Sequence, residues 1–187
     1  MMNTVDAIKN LSQINKMKEY LKTRSTRDYC LFLLGINTGI RINELIHLRV
    51  SDVMTADEKV RDFLDSAAYA NPPVYFNRMV REAIQDCIHS EGLEHDDYLF
   101  KSKKTMSPIS RQQAYRIISE AARYSGIEGA IGTTTLRKTF GYHAYQKGIA
   151  ISLIQKRLQQ STPSETIQFI GLANERHSLP IILDVNL

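Results

Sequence analysis

Cysteine and long apolar runs are what this sequence lacks. Only two cysteines occur, Cys30 and Cys87, each embedded in an apolar helical pattern. No further cysteine is available to complete a zinc site, so both are read as buried free thiols. No run of 18 apolar residues exists, which excludes a membrane-spanning helix. The opening MMNTVDAIKNLSQINK has no uninterrupted apolar core of the kind a secretory signal carries. The expectation is a soluble protein of the cytoplasm. Repeats, low-complexity segments and interdomain linkers are also missing, and 187 residues at 43% hydrophobic content suffice for one well-buried domain. Negative charge is scarce in one part of the chain only. Residues 101–160 contain eleven Lys and Arg against Glu120 and Glu128, a balance of +9, so the remainder of a chain of net charge +4 stands at −5. Such asymmetry gives one face a field that attracts a polyanion over about a Debye length, and for a cytoplasmic protein the natural polyanion is DNA or RNA.

What is present is mostly helical periodicity. In TRDYCLFLLGINTGIRINELIHLRV the apolar set Tyr29, Phe32, Leu33 and Ile36 recurs at helical spacing. Gly39 supplies a residue that can turn with positive φ, and Ile42, Leu45, Ile46 and Leu48 restart the helix, which puts Arg41 at the junction. The character then changes. Val60, Phe63 and Val74 to Phe76 read as short strands with Asn71-Pro72-Pro73 as a turn between them. Val80, Ile84, Cys87 and Ile88 return to one helical face. Ser110 followed by Gln113 is a capping box that opens a helix ending at Gly126. Further helices are predicted over about Thr135 to Lys147 and Ser152 to Gln159. A last one starts at Thr162, with Pro163 at its first position and Glu165 at its third, and ends near Phe169.

Two arginines stand out, Arg41 in NTGIRINEL and Arg137 in TTLRKTF. Each follows a turn or lies near a helix start, where free backbone amides add to the guanidinium charge. Paired guanidiniums suit a phosphodiester because each presents a planar fork to phosphate oxygens. Either one alone would more commonly be a surface ion-pair partner.

The stretches around these arginines resemble the signatures of the tyrosine recombinase (phage integrase) family. LFLLGINTGIRINELIHLRVSDV is similar to the first, T-G-L/I-R-I/V-x-E-L-x-x-L, and TTTLRKTFGYHAYQKG to the second, H-x-L-R-H/K-T-F. LIQKRLQQSTPSETIQFIGL resembles the third, L-x-x-x-L/F-G/N-H-S-S-x-x-x-T-x-x-Y-x-x-I/L. The three blocks stand in the family's order and spacing and cover about residues 20–172. The resemblance implies a mainly α catalytic domain with a small antiparallel sheet of three strands, here spanning residues 1–172. The apolar tail, 173–187, would pack on its own domain or be exchanged between protomers of a homo-oligomer. Larger members carry an amino-terminal helical domain that closes round the duplex, for which this chain has room for about 20 residues.

Carried over residue by residue, the resemblance divides the site. Arg41 and Arg137 hold the positions that bind the scissile phosphate and offset its developing charge. The histidine before the second arginine falls on Thr134, the histidine or tryptophan of the third block on Gln160, and the tyrosine nucleophile on Phe169. The lysine of the small hairpin should fall in SAAYANPP, which contains none. The family reaction is a metal-free and cofactor-free transesterification: the tyrosine oxygen attacks phosphorus, and lysine gives a proton to the departing 5′ oxygen. Phenylalanine has no oxygen with which to attack. Three readings of Phe169 follow: a Tyr-to-Phe form of an active site-specific recombinase, an active enzyme using Tyr142 or Tyr145, or loss of catalysis with DNA binding kept. Replacement of the lysine and both histidine positions along with the tyrosine favours the last.

The sequence therefore predicts a binder of double-stranded DNA, catalytically inactive, serving as a regulator or accessory factor of a phage or other mobile element at the nucleoid. No cofactor, metal or membrane is called for. Arg41 and Arg137 would seat one phosphate, and Lys138, Lys103, Lys104, Arg111, Arg116, Lys156 and Arg157 would serve the flanking backbone. The Ser110 to Ser125 helix would enter the major groove with Gln112 and Gln113 toward base edges. A relic fold used only for protein contacts is the remaining alternative.

Overall fold

A computed structural model of the chain describes residues 5–64 and 73–173. Along the chain lie α1 (Leu11–Arg24), α2 (Thr26–Thr38), α3 (Ile42–Ile46), α4 (Val50–Val53), β1 (Phe63–Leu64), β2 (Val74–Tyr75) and α5 (Arg78–Glu91). They are followed by α6 (Arg111–Tyr124), α7 (Thr133–Gln146), α8 (Ile151–Leu158) and α9 (Pro163–Phe169). The fold is mostly helical with one small antiparallel sheet, as the sequence predicts. Among the described residues the sheet has two strands, Phe63 opposite Tyr75 and Leu64 opposite Val74. The third strand that the resemblance implies is present as a single bridge between Met54 and Val60. The Asn71-Pro72 part of the predicted turn, the lysine-free stretch before Pro73 and the tail beyond Ala173 lie outside the described residues.

Capping sets the helix starts. Asn10, Ser25, Asn77 and Thr162 each accept an amide hydrogen bond at the head of α1, α2, α5 and α9. In the predicted capping box, Ser110 Oγ accepts from Gln113 N at 3.1 Å while Gln113 Oε1 accepts from Ser110 N at 2.8 Å. The basic loop before it is closed by Ser102 N to Ser107 O and Ile109 N to Phe100 O, which leaves Lys103 and Lys104 exposed at its tip.

Helix α2 is the spine. Cys30 to Leu34 are all fully buried, against α5 on one side and α1 and α7 on the others. Val80, Ile84, Cys87 and Ile88 of α5 share that core, as their spacing predicts. The two free thiols meet there although far apart in sequence, and burial pushes the Cys30 thiol well above its ordinary range. Each fully buried Leu, Ile or Phe of this core contributes roughly 1.5–3 kcal/mol. Two glycines let α7 close on α2. A Cβ on Gly35 would run into Leu136, and Gly39 ends α2 with φ 68°, where an added Cβ would come within 2.7 Å of the Phe140 ring. That approach brings Arg41, at the head of α3, and Arg137, inside α7, to one place. A third cluster, Ala144, Ile154, Leu158 and Ile170, seats α8 and α9 on α7.

Candidate phosphate-binding site

Arg41 stands at the head of α3, immediately past the left-handed turn at Gly39. Glu44 holds it: the Glu44 carboxylate accepts from Arg41 N at 3.2 Å and from Arg41 Nη1 at 3.4 Å. The same Nη1 donates to Gln159 Oε1.

Arg137, one turn into α7, is pinned by backbone. Its Nε donates to Gly39 O at 3.0 Å and its Nη2 to Leu158 O at 2.6 Å, so the carbonyl ends of α2 and α8 fix the guanidinium plane. Helix carbonyl ends carry negative partial charge, which suits a cation. Burial, and then repulsion by Arg41 and Arg157, push Arg137 down to about 10, with Glu44 pulling the other way. Arg137 remains charged at neutral pH, in a cluster with more positive than negative charge. An anion placed there relieves the repulsion.

The arginine pair has two unequal sides. Toward Glu44, Arg157 and Gln159 the space is only about 10 Å³. On the other side lies a cavity of about 200 Å³ lined by Arg41, Asn43, Arg111, Thr133, Thr134 and Arg137. Arg111, Thr133 and Thr134 also line a longer open groove that runs along α6 past Gln112, Tyr115 and Arg123. The cavity therefore opens onto the exposed face of α6.

Phe169 lies beside Arg137 at the end of α9. Its ring lies 5.6 Å from Arg137 Cζ and 5.4 Å from Lys138 Nζ, a cation facing a ring twice over. The residue on which the resemblance places the nucleophile thus sits beside the arginine on which it places phosphate binding. Burial lowers Lys138, and Asp6 offsets part of that.

Of the residues singled out in the sequence, the fold gathers Arg41, Arg137, Lys138, Arg111, Thr134, Phe169 and Arg157 around this site. Arg157 is not a flanking residue. It lies in the cluster itself, half-buried, with burial lowering its guanidinium and Glu44 raising it. Gln112, Gln113 and Arg116 lie exposed on α6, and Lys156 is exposed on α8. Lys103 and Lys104 line a separate depression with Arg27 and Met106. Gln160 is tied to Gln155 by backbone Gln160 N to Gln155 O at 3.1 Å. The sequence reading missed Glu44, Asn43 and Gln159. Glu44 stands three residues past Arg41 at capping-box spacing, which is the signal that could have found it.

With the site described, three comparisons bear on descent. The model of the phage integrase family matches residues 7–176. A probable integrase/recombinase of Bacillus subtilis (strain 168), YoeC, is 40% identical over 171 residues, covering 91% of this chain and 92% of that protein. The type 1 fimbriae regulatory protein FimE of Escherichia coli (strain K12) is 34% identical over 152 residues, covering 76% and 73%. Among solved structures, the XerH site-specific recombinase bound to a palindromic difH substrate superposes with a TM-score of 0.71 at 17% identity, covering 94% of this chain and 52% of that one. The chain thus spans about half the length of that recombinase, and the likeness is one of fold. No helix among the described residues is long and apolar enough to cross a membrane. By a family match over nearly its whole length and a 40% identical relative matched over about nine-tenths of both chains, the chain belongs to the phage integrase, or tyrosine recombinase, family.

Proposed function

We propose that this protein is a DNA-binding member of the family that no longer cuts DNA and that serves as a regulator or accessory factor of a mobile element. One observation carries the reading: Arg41 and Arg137 frame a cavity of about 200 Å³ open toward a basic helix face, while Phe169, on which the resemblance places the nucleophile, has its ring 5.6 Å from Arg137 Cζ and carries no oxygen. Guanidiniums fixed against backbone carbonyls are preorganised to hold a phosphate oxygen, and that holding needs no nucleophile. Phosphate contacts position a protein on duplex DNA without reading bases, so keeping them keeps affinity. The DNA-bound state of the XerH structure supports the choice of ligand, and the regulatory name of FimE supports the choice of role.

The α6 face gives the rest of the interface. Its capped start exposes Arg111, Gln112 and Arg116 beside the groove that leads into the arginine cavity, and glutamine can pair with an adenine edge. Lys103 and Lys104, on a separate loop, would meet backbone further along.

A second reading, an active site-specific recombinase, is favoured by the name of the 40% identical relative. It needs another nucleophile. Tyr145 follows Arg137 by two turns of α7, about 12 Å along the axis, and Tyr142 is half-buried with Lys9 5.0 Å from its ring centroid. Neither lines the arginine cavity. The test is a nicked suicide duplex run on a denaturing gel beside a native gel. A native shift with no covalent adduct is expected, and an adduct would overturn the inactive reading.

A further inference from the structure

We propose that Gln159 is a positioning residue for Arg41, whose amide oxygen competes with phosphate for the guanidinium and fills the Glu44 side of the arginine pair. The inference rests on reading the arginine cluster as a phosphate site. Gln159 ends α8 with φ 54° and ψ 45°, and only one other non-glycine among the described residues has positive φ. Glycine adopts that conformation freely and a larger side chain resists it. The turn sends the Gln159 side chain across to Arg41, where Oε1 accepts from Nη1, the same nitrogen that Glu44 engages at 3.4 Å. With Arg157 and Glu44, Gln159 reduces this side of the arginine pair to about 10 Å³, room for no more than a water.

The consequence is a threshold. A neutral amide oxygen is a weaker partner for guanidinium than a charged phosphate oxygen, so a phosphate entering from the Thr134 side can take Arg41 from Gln159. A weakly coordinating anion cannot. The contact is solvent-accessible, so its effect is modest.

Three variants of the full chain decide it. Gln159→Gly and Gln159→Asn both tolerate the left-handed turn, and neither reaches Arg41. Gln159→Glu keeps the acceptor and charges it. The first readout is the rate at which phenylglyoxal modifies Arg41, followed by mass spectrometry of the peptide that contains it, with exposed Arg78 as the internal standard. Gly and Asn variants are expected to react about three- to fivefold faster than the parent, and inorganic phosphate to slow that reaction. The second readout is affinity for duplex DNA. It is expected to tighten about three- to fivefold in the Gly and Asn variants and to weaken in the Glu variant. Unchanged labelling of Arg41 in both shortened variants would overturn the proposal, as would weaker DNA binding by them. If no form binds duplex DNA, the DNA reading falls while the labelling rates still decide the role of Gln159.

Discussion

Arg137 concentrates the physics of the site in one side chain. Two backbone carbonyls from two helix ends hold its plane, and only a guanidinium spans both. Arg137→Lys is therefore expected to keep the charge, change thermal stability little, and lower affinity for duplex DNA about tenfold, at about 1.4 kcal/mol. An anisotropy titration checks this. The pH behaviour follows from the same residue. Its folded value of about 10 lies below the ordinary 12.5, so charging it costs stability wherever it is protonated, and that cost eases only as pH rises through 10. The site has threonine and glutamine, not histidine, at positions 134 and 160. DNA affinity is expected to be flat between about pH 6 and 9, and a transition centred near 6.5 would count against the assignment. Phe169→Tyr adds one hydroxyl, but the hairpin lysine and the two histidines that the resemblance implies are still missing, so no covalent adduct is expected from it on the suicide duplex. Residue identity was the most legible layer of the sequence. Motif spacing singles out Arg41, Arg137 and Phe169, and the fold brings the three together. Arg157 was misplaced although Ile154 and Leu158, three residues before it and one after, face inward and put it on the flank of the same stripe. Gln159 carried no periodic signal, because a left-handed residue past a helix end breaks the period that would reveal it.

At the scale of elements, turns and caps carry the site. Gly39 takes φ 68°, leaves space for Phe140, presents Arg41 and offers its carbonyl to Arg137. Gly39→Ala is expected to destabilise the fold by about 2 kcal/mol or more, read by urea denaturation, and to weaken DNA binding through the displaced arginines. Ser110→Ala removes one half of the capping box of α6. A loss of about 1 kcal/mol and a melting temperature lower by about 2–4 °C are expected, with DNA affinity reduced because Arg111 and Gln112 occupy the loosened first turn. Helices with a cap residue at the start and glycine at the end were readable to within two residues, as α6 shows. The sheet was less so. Strands of two residues are too short for alternation to accumulate, and Met54 to Val60 pairs through one bridge, which no local pattern distinguishes from a loop.

At the scale of the molecule, charge asymmetry is the organising feature. The eleven cations between residues 101 and 160 were visible as a block, yet the sequence could not say which of them share a face. The fold sends Arg111, Arg137, Lys138 and Arg157 to one site and leaves Lys103 and Lys104 on a separate loop. Burial, not composition, made that division. It implies two kinds of cation, some fixed in the cavity and some on an exposed loop, and loss of either should weaken binding to every duplex alike and lower the salt slope.

The most direct test of the central claim is binding to a random-sequence duplex by fluorescence anisotropy across a salt series, comparing the parent with Arg41→Ala/Arg137→Ala. Affinity is expected to fall steeply with salt, by a log–log slope of about 0.9 per phosphate contact, and the double variant is expected to bind about tenfold or more weakly with a slope shallower by about one, the one phosphate that the pair seats. A double variant with unchanged affinity and slope, or a parent whose binding is indifferent to salt, would contradict the account.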